Sequence, residues 1–116
     1  MKFYGYRQCS TCRKAQKWLE AAGITVEMLP IRDTPPTATE LKAMLRHLDG
    51  SRKAMINTSS KDYRAEGIKS ELLDGSEAAF VAALRANGNL IKRPFLLSPD
   101  SGLTGFKEDI WQETLG

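Results

Sequence analysis

Phe3-Tyr4-Gly5-Tyr6-Arg7-Gln8-Cys9-Ser10-Thr11-Cys12-Arg13-Lys14 is the stretch on which the fold turns. Upstream of the cysteines, residues 1–6 are short and aromatic-rich and read as a buried strand. Downstream, Ala15, Trp18, Leu19 and Ala22 recur at helical spacing and form one apolar face, while Arg13, Lys14, Lys17 and Glu20 occupy the other. Gly23 stops that helix, and residues 24–31 return to mostly apolar character over a strand's length. A strand, a helix and a strand in about thirty residues predict a βαβ unit with parallel strands and a right-handed crossover.

The position of Cys9 in this unit matters more than the Cys-x-x-Cys pattern. It follows a strand and opens a helix, where unsatisfied N–H groups and a partial positive charge stabilise a thiolate. Arg7, Arg13 and Lys14 are close in sequence and are expected to add to that stabilisation. The thiolate is the attacking species in thiol chemistry, so a lowered pKa raises the reactive fraction of Cys9 at neutral pH. Cys12, one turn later, is placed to attack a mixed disulfide at Cys9 and resolve it. Cys9 is thus the expected nucleophile and Cys12 the resolving thiol, with Ser10, Thr11 and Arg13 in support. Two other readings stay open: small buried cysteines that merely pack a helix end, and a zinc site. Zinc needs two further ligands, and the sole histidine, His47, falls inside a predicted helix beside its apolar stripe, so no metal is expected.

The chain has 116 residues, enough for one domain with a single core that needs no disulfide or metal. Its 17 basic and 14 acidic residues leave a net charge of +3, but no run of like charges makes a nucleic-acid arm. No apolar run approaches the ~20 residues that span a bilayer. Met1-Lys2-Phe3-Tyr4-Gly5 lacks the apolar stretch of a signal peptide, so a cytoplasmic protein is expected. In that reducing compartment a purely structural disulfide between cysteines three apart is disfavoured.

Farther along, Asp33-Thr34-Pro35-Pro36 interrupts the chain, and Thr37 with Glu40 forms a capping box. Leu41, Met44, Leu45 and Leu48 then make the stripe of a second helix, ended by Gly50. Residues 51–75 are less regular, with short helical pieces at 52–55 and 61–66. Ser76 caps a third long helix whose inward face is Phe80, Ala83 and Leu84. Asn87-Gly88-Asn89 is a turn, residues 90–98 read as a strand, and Pro99-Asp100-Ser101-Gly102 is a hairpin turn into a short antiparallel strand at 103–106. A last helix is expected to carry Ile110 and Trp111 inward. The order predicts one domain over residues 1–116: a thioredoxin-like α/β fold, a mixed four-stranded sheet with a helical insertion at about 37–88. Domains of that kind set a cis-proline opposite the cysteines, and Pro94 is the candidate. Arg93 would then project towards Cys9; on the other reading Pro94 simply opens a strand and Arg93 is a surface charge.

Cys9-Ser10-Thr11-Cys12-Arg13-Lys14, Asp33-Thr34-Pro35-Pro36-Thr37 with Glu40-Leu41, Asn57-Thr58-Ser59 with Tyr63-Arg64, Lys92-Arg93-Pro94 and Gly105-Phe106-Lys107-Glu108 follow one another in an order and spacing that resembles the arsenate reductase/Spx/MgsR family. The resemblance covers essentially the whole chain. It implies one of three functions. The first is a thiol–disulfide redox protein acting on disulfides or oxidised sulfur species through Cys9, Cys12 and Arg93. The second is an Spx/MgsR-like redox-sensing regulator that binds the α subunit of RNA polymerase. The third is a glutathione/glutaredoxin-dependent arsenate reductase, in which the residue matching Cys9 attacks arsenate and the one matching Arg93 binds it. It also implies no tightly bound cofactor, glutathione or a glutaredoxin or thioredoxin as electron donor, and a monomer without direct nucleic-acid contact. The chain departs from the arsenate pattern at two points: Asn57-Thr58-Ser59-Ser60 and Thr104-Gly105-Phe106 stand where that pattern has further arginines. One arginine in place of three holds an oxyanion less well, which turns the expectation towards sulfur.

Overall fold

A computed structural model describes residues 1–64 and 67–115. Strand β1 (Lys2–Gly5) pairs in parallel with β2 (Met28–Pro30), with Phe3 opposite Met28, and antiparallel with β3 (Phe95–Leu97), with Tyr4 opposite Phe95. β3 in turn pairs antiparallel with β4 (Gly102–Thr104), giving the order β2-β1-β3-β4. This is the expected mixed four-stranded sheet.

Strand side chains alternate between faces, and here both faces are buried. Phe3 and Leu96 point into one cluster with Ala15 and Leu19 of α1 (Ser10–Ala21) and Trp111 of α6 (Glu108–Leu115). Tyr4 and Phe95 point into the other. That second cluster takes Leu41, Met44 and Leu45 from α2 (Ala38–His47), Tyr63 from α3 (Lys61–Arg64), Leu72 from α4 (Ile68–Asp74), and Phe80, Val81 and Leu84 from α5 (Glu77–Ala86). The sheet is therefore sandwiched between α1 and α6 on one side and the inserted helices on the other.

The strands are shorter than the apolar runs suggest. Of residues 24–31 only Met28–Pro30 pair, because Ile24 and Val26 pack against the α1–α6 core instead of joining the ladder. Of 90–98 only Phe95–Leu97 pair. Leu90 belongs to a 3-10 turn (Gly88–Leu90), Ile91 makes a single bridge to Ile56, and Pro94 has no N–H to donate to a ladder. Helix α4 falls within a stretch expected to be irregular. It buries one residue, Leu72, too weak a stripe to read, and it follows Gly67 at a φ of 84°. Residues 65 and 66 of the expected helical piece at 61–66 lie outside the described residues. At the C-terminal end Trp111 is buried but Ile110 is 42% exposed, since neighbours on a helix point about 100° apart and only one of the two can face the core.

The capping box forms as expected: the Thr37 hydroxyl accepts the Glu40 N–H at 3.2 Å and Glu40 accepts the Thr37 N–H at 2.8 Å. Glu40 also accepts the Tyr4 hydroxyl at 2.8 Å and pairs with Lys2 at 3.4 Å, tying α2 to β1. Burial raises the Glu40 pKa, but these hydrogen bonds and Lys2 outweigh it and hold the carboxyl below its usual range. A carboxyl lowered in the fold stabilises it above the unfolded group's pKa, and that contribution disappears as pH falls through the folded value. Glu40→Gln is therefore expected to cost about 1 kcal/mol near neutral pH. In denaturant melts the gap to wild type should close in acid. A gap that does not change with pH would contradict this.

Candidate active site

The active-site loop grows from the end of β1. Gly5 has no side chain, and a Cβ there would lie 3.1 Å from the Cys12 sulfur, so glycine lets the strand end pass against the buried thiol. The chain then turns, with the Cys9 N–H donating to the Tyr6 carbonyl at 2.9 Å, and Cys9 enters α1 as its N-cap in extended backbone. Its sulfur accepts the Cys12 N–H at 3.4 Å, the bond that a serine or aspartate oxygen usually takes at a helix start.

The two thiols are pushed in opposite directions. Burial raises the Cys9 pKa, but it is outweighed by hydrogen bonds from the Cys12 thiol, the Cys12 N–H and the Thr11 N–H and by the charge of Arg93, so Cys9 lies below an ordinary thiol. Cys12 is fully buried, and burial together with its hydrogen bond to Cys9 pushes it up to about 12. Both cysteines are free. The half-exposed sulfur is thus the one that ionises more readily, and the buried one keeps its proton at neutral pH.

Cys9 and Thr11 form one wall of a cleft of about 310 Å³. Opposite are Lys92, Arg93, Phe106 and Lys107. The Arg93–Pro94 peptide bond is cis, Pro94 is buried, and its carbonyl accepts the Gly105 N–H at 2.9 Å, joining the two loops of the far wall. Gly105 has a φ of 69°, and a Cβ on it would lie 2.8 Å from the Lys92 side chain. Only glycine combines that backbone with a lysine lying across it.

The candidates read from sequence divide accordingly. Cys9, Thr11 and Arg93 meet at the cleft, with Cys12 behind them. Ser10 is exposed and does not line it. Arg13 is exposed and donates to the Arg7 carbonyl at 2.9 Å. The cation acting on the Cys9 sulfur is Arg93, more than eighty residues away in sequence; Arg7, Arg13 and Lys14 are not among the groups that set it. Lys92 and Lys107 were missed as cleft residues, although both belong to short motifs quoted above, Lys92-Arg93-Pro94 and Gly105-Phe106-Lys107-Glu108. They add two lysines to the one arginine expected at an oxyanion site, so three cations line the cleft, and among the described residues no carboxylate does. His47 is exposed, and among the described residues no three His, Cys, Asp or Glu side chains converge as a metal site would need. No described helix is long and apolar enough to cross a membrane.

Because the charge of Arg93 acts on Cys9, Arg93→Gln should raise the thiol's pKa and slow its alkylation by iodoacetamide several-fold at about pH 6. At a pH above the ordinary thiol range the two rates should converge. An unchanged pH profile would remove Arg93 from the site.

Known proteins share this fold along nearly the whole chain. The chain is 39% identical to the uncharacterized protein YusI of Bacillus subtilis (strain 168) over 113 residues, 97% of this chain and 96% of that one. It is 28% identical to the global transcriptional regulator Spx of Streptococcus mutans serotype c, across 87% of this chain and 72% of Spx. The structure of an arsenate reductase from Vibrio cholerae superposes with a TM-score of 0.83 at 25% identity, covering 98% of this chain and 96% of that one. The ArsC family model matches residues 4–114, from β1 through α6, and the chain belongs to the ArsC family.

Proposed function

We propose that this protein is a thiol–disulfide oxidoreductase in which Cys9 is the nucleophile and Cys12 the resolving thiol. The observation that carries the reading is the placement of two free thiols one helical turn apart, Cys9 at the N-cap of α1 and lining the cleft, Cys12 fully buried behind it. Burial and their mutual hydrogen bond raise the second; despite burial, the same bond helps hold the first below an ordinary thiol. In the reaction the Cys9 thiolate attacks one sulfur of a disulfide, forming a mixed disulfide and expelling the other half as a thiolate, which takes a proton from water. Loss of charge at Cys9 removes part of what holds the proton on Cys12. Cys12 then gives up its proton and attacks the Cys9 sulfur, closing a Cys9–Cys12 disulfide and releasing the second thiol. Two electrons pass from the dithiol to the substrate. A thiol reductant of the cytoplasm, glutathione or a glutaredoxin or thioredoxin, would restore the dithiol.

A second reading has one observation in its favour. Lys92, Arg93 and Lys107 suit an oxyanion, which supports arsenate as a substrate, in line with the named activity of the Vibrio cholerae relative. A regulatory, polymerase-binding role is supported by the likeness to Spx alone. The disulfide reading is preferred because it accounts for both cysteines. It is tested by mixing the reduced protein with a small disulfide and measuring released thiol and protein mass. Two thiols released per protein and a protein lighter by two hydrogens are expected; no thiol release would overturn it.

A further inference from the structure

A second cavity, of about 230 Å³, adjoins the Cys9 cleft and shares Asn57 and Arg93 with it. Its remaining wall carries Arg32 and Lys61 with Asp62 and Asn89. These groups are held in place. The Arg32 guanidinium lies over the Tyr6 ring, its Cζ 4.1 Å from the centroid, and that of Arg93 lies 5.8 Å from the same ring. Asp62 accepts the Asn87 side-chain amide at 2.9 Å, and Asn87 in turn accepts the Asn89 N–H at 3.0 Å. The hydrogen bonds from Asn87 and Asn89, with the charge of Arg32, keep Asp62 ionised at neutral pH.

Two buried polar atoms on this wall have no partner: Nη1 of Arg93, a donor, and Oδ1 of Asn89, an acceptor. Both residues border the cavity, so a donor and an acceptor stand unpaired beside it, which suits a ligand that both accepts and donates hydrogen bonds. Arg32 and Asp62 face the same cavity without forming an ion pair, which leaves opposite charges apart across a space. A bare oxyanion would meet repulsion from Asp62. A metal cation would meet Arg32, Lys61 and Arg93. A zwitterion satisfies both sides.

We propose that this cavity recognises the α-amino and α-carboxylate groups of a cysteine-type disulfide whose sulfur end reaches Cys9. The carboxylate faces Arg32, Lys61 and Arg93, and the ammonium faces Asp62 and the Asn89 carbonyl oxygen. Arg93 and Asn57, common to both cavities, set the distance between the amino-acid end and the reacting sulfur. The assignment of substrate rests on the thiol–disulfide reading, whereas binding at the cavity can be measured without any reaction.

The test uses the reduced protein and the unreactive probe S-methylcysteine, compared with methylthiopropanoate, which lacks the amine, and methylthioethylamine, which lacks the carboxylate. Binding is followed by amide NMR shifts. S-methylcysteine should bind about tenfold more tightly than either truncated probe, with shifts centred on Arg32, Asn57, Asp62 and Asn89. Asp62→Asn should narrow its lead over methylthiopropanoate, and Arg32→Gln its lead over methylthioethylamine. Equal affinity for the three probes, no saturable binding, or shifts confined to other surfaces would overturn the proposal. If S-methylcysteine binds as described but no disulfide is reduced, the cavity assignment stands and the redox reading fails. If disulfides are reduced while the three probes bind alike, the reverse holds.

Discussion

Cys9→Ser should abolish thiol release from a disulfide substrate, leaving only the uncatalysed background. A serine hydroxyl is not ionised near neutral pH, so neither the helix N-terminus nor Arg93 can make it a comparable nucleophile. Cys12→Ser should behave differently. The first exchange needs only Cys9, so one thiol should be released and the protein should gain the mass of half the substrate as a stable mixed disulfide. Cys12 is fully buried while Cys9 lines the cleft, and this asymmetry dictates which variant traps the intermediate. Intact mass after a short incubation reads both outcomes. A mixed disulfide that forms on Cys9→Ser, or full turnover by Cys12→Ser without added thiol, would reverse or dissolve the assignment of roles.

Trp111→Ala should be the most destabilising single substitution in the α1–α6 core, at about 3–5 kcal/mol. Trp111 is 1% exposed and meets Trp18 and Phe106 edge-to-face, at 5.9 and 5.0 Å between ring centroids. Its indole N–H donates to the Gly105 carbonyl at 3.1 Å. A domain of this size has about 5–15 kcal/mol in all, so the loss takes a large share of it. Gly105 and Phe106 are also part of the cleft wall, so kcat/KM for a disulfide should fall as well. Trp111→Phe keeps most of the packing and loses the hydrogen bond, at a cost of about 1 kcal/mol. Urea unfolding measures both. A loss under about 1 kcal/mol for Trp111→Ala would show that this core repacks around the gap.

Much of the fold was legible because it depends on local signals. The helical spacing of Ala15, Trp18 and Leu19, the Thr37–Glu40 capping box and the Ser76 cap each act within one or two turns, and each appears where read. What was not legible depends on long-range contacts. Pro94 marks where pairing of the third strand can begin, but its partner strand and its register on β1 are set by contacts far away in sequence. The site divides in the same way. The cysteine pair and its helix start are local, but the choice of Arg93 over the nearer Arg13 comes from the turn at Pro94 facing the Cys9 loop. The two lysines of the cleft escape a sequence reading for a similar reason: Lys92 and Lys107 are distant in sequence and join Arg93 at the cleft on two loops that the Pro94–Gly105 hydrogen bond links.

The N-cap of α1 is a thiol, and this makes the start of the helix a reporter of chemistry. A serine cap has one state. The cap here is a thiol with a lowered pKa, a better acceptor when it ionises, and it can no longer ionise once its sulfur enters a disulfide, while the Cys12 N–H it receives stays where it is. Oxidation thus exchanges an ionisable acceptor for a covalent tie across the first turn of the helix, and reduction reverses the exchange. The amide protons of Thr11 and Cys12 should accordingly exchange with solvent at a rate that keeps a record of the redox state, legible without touching the sulfur.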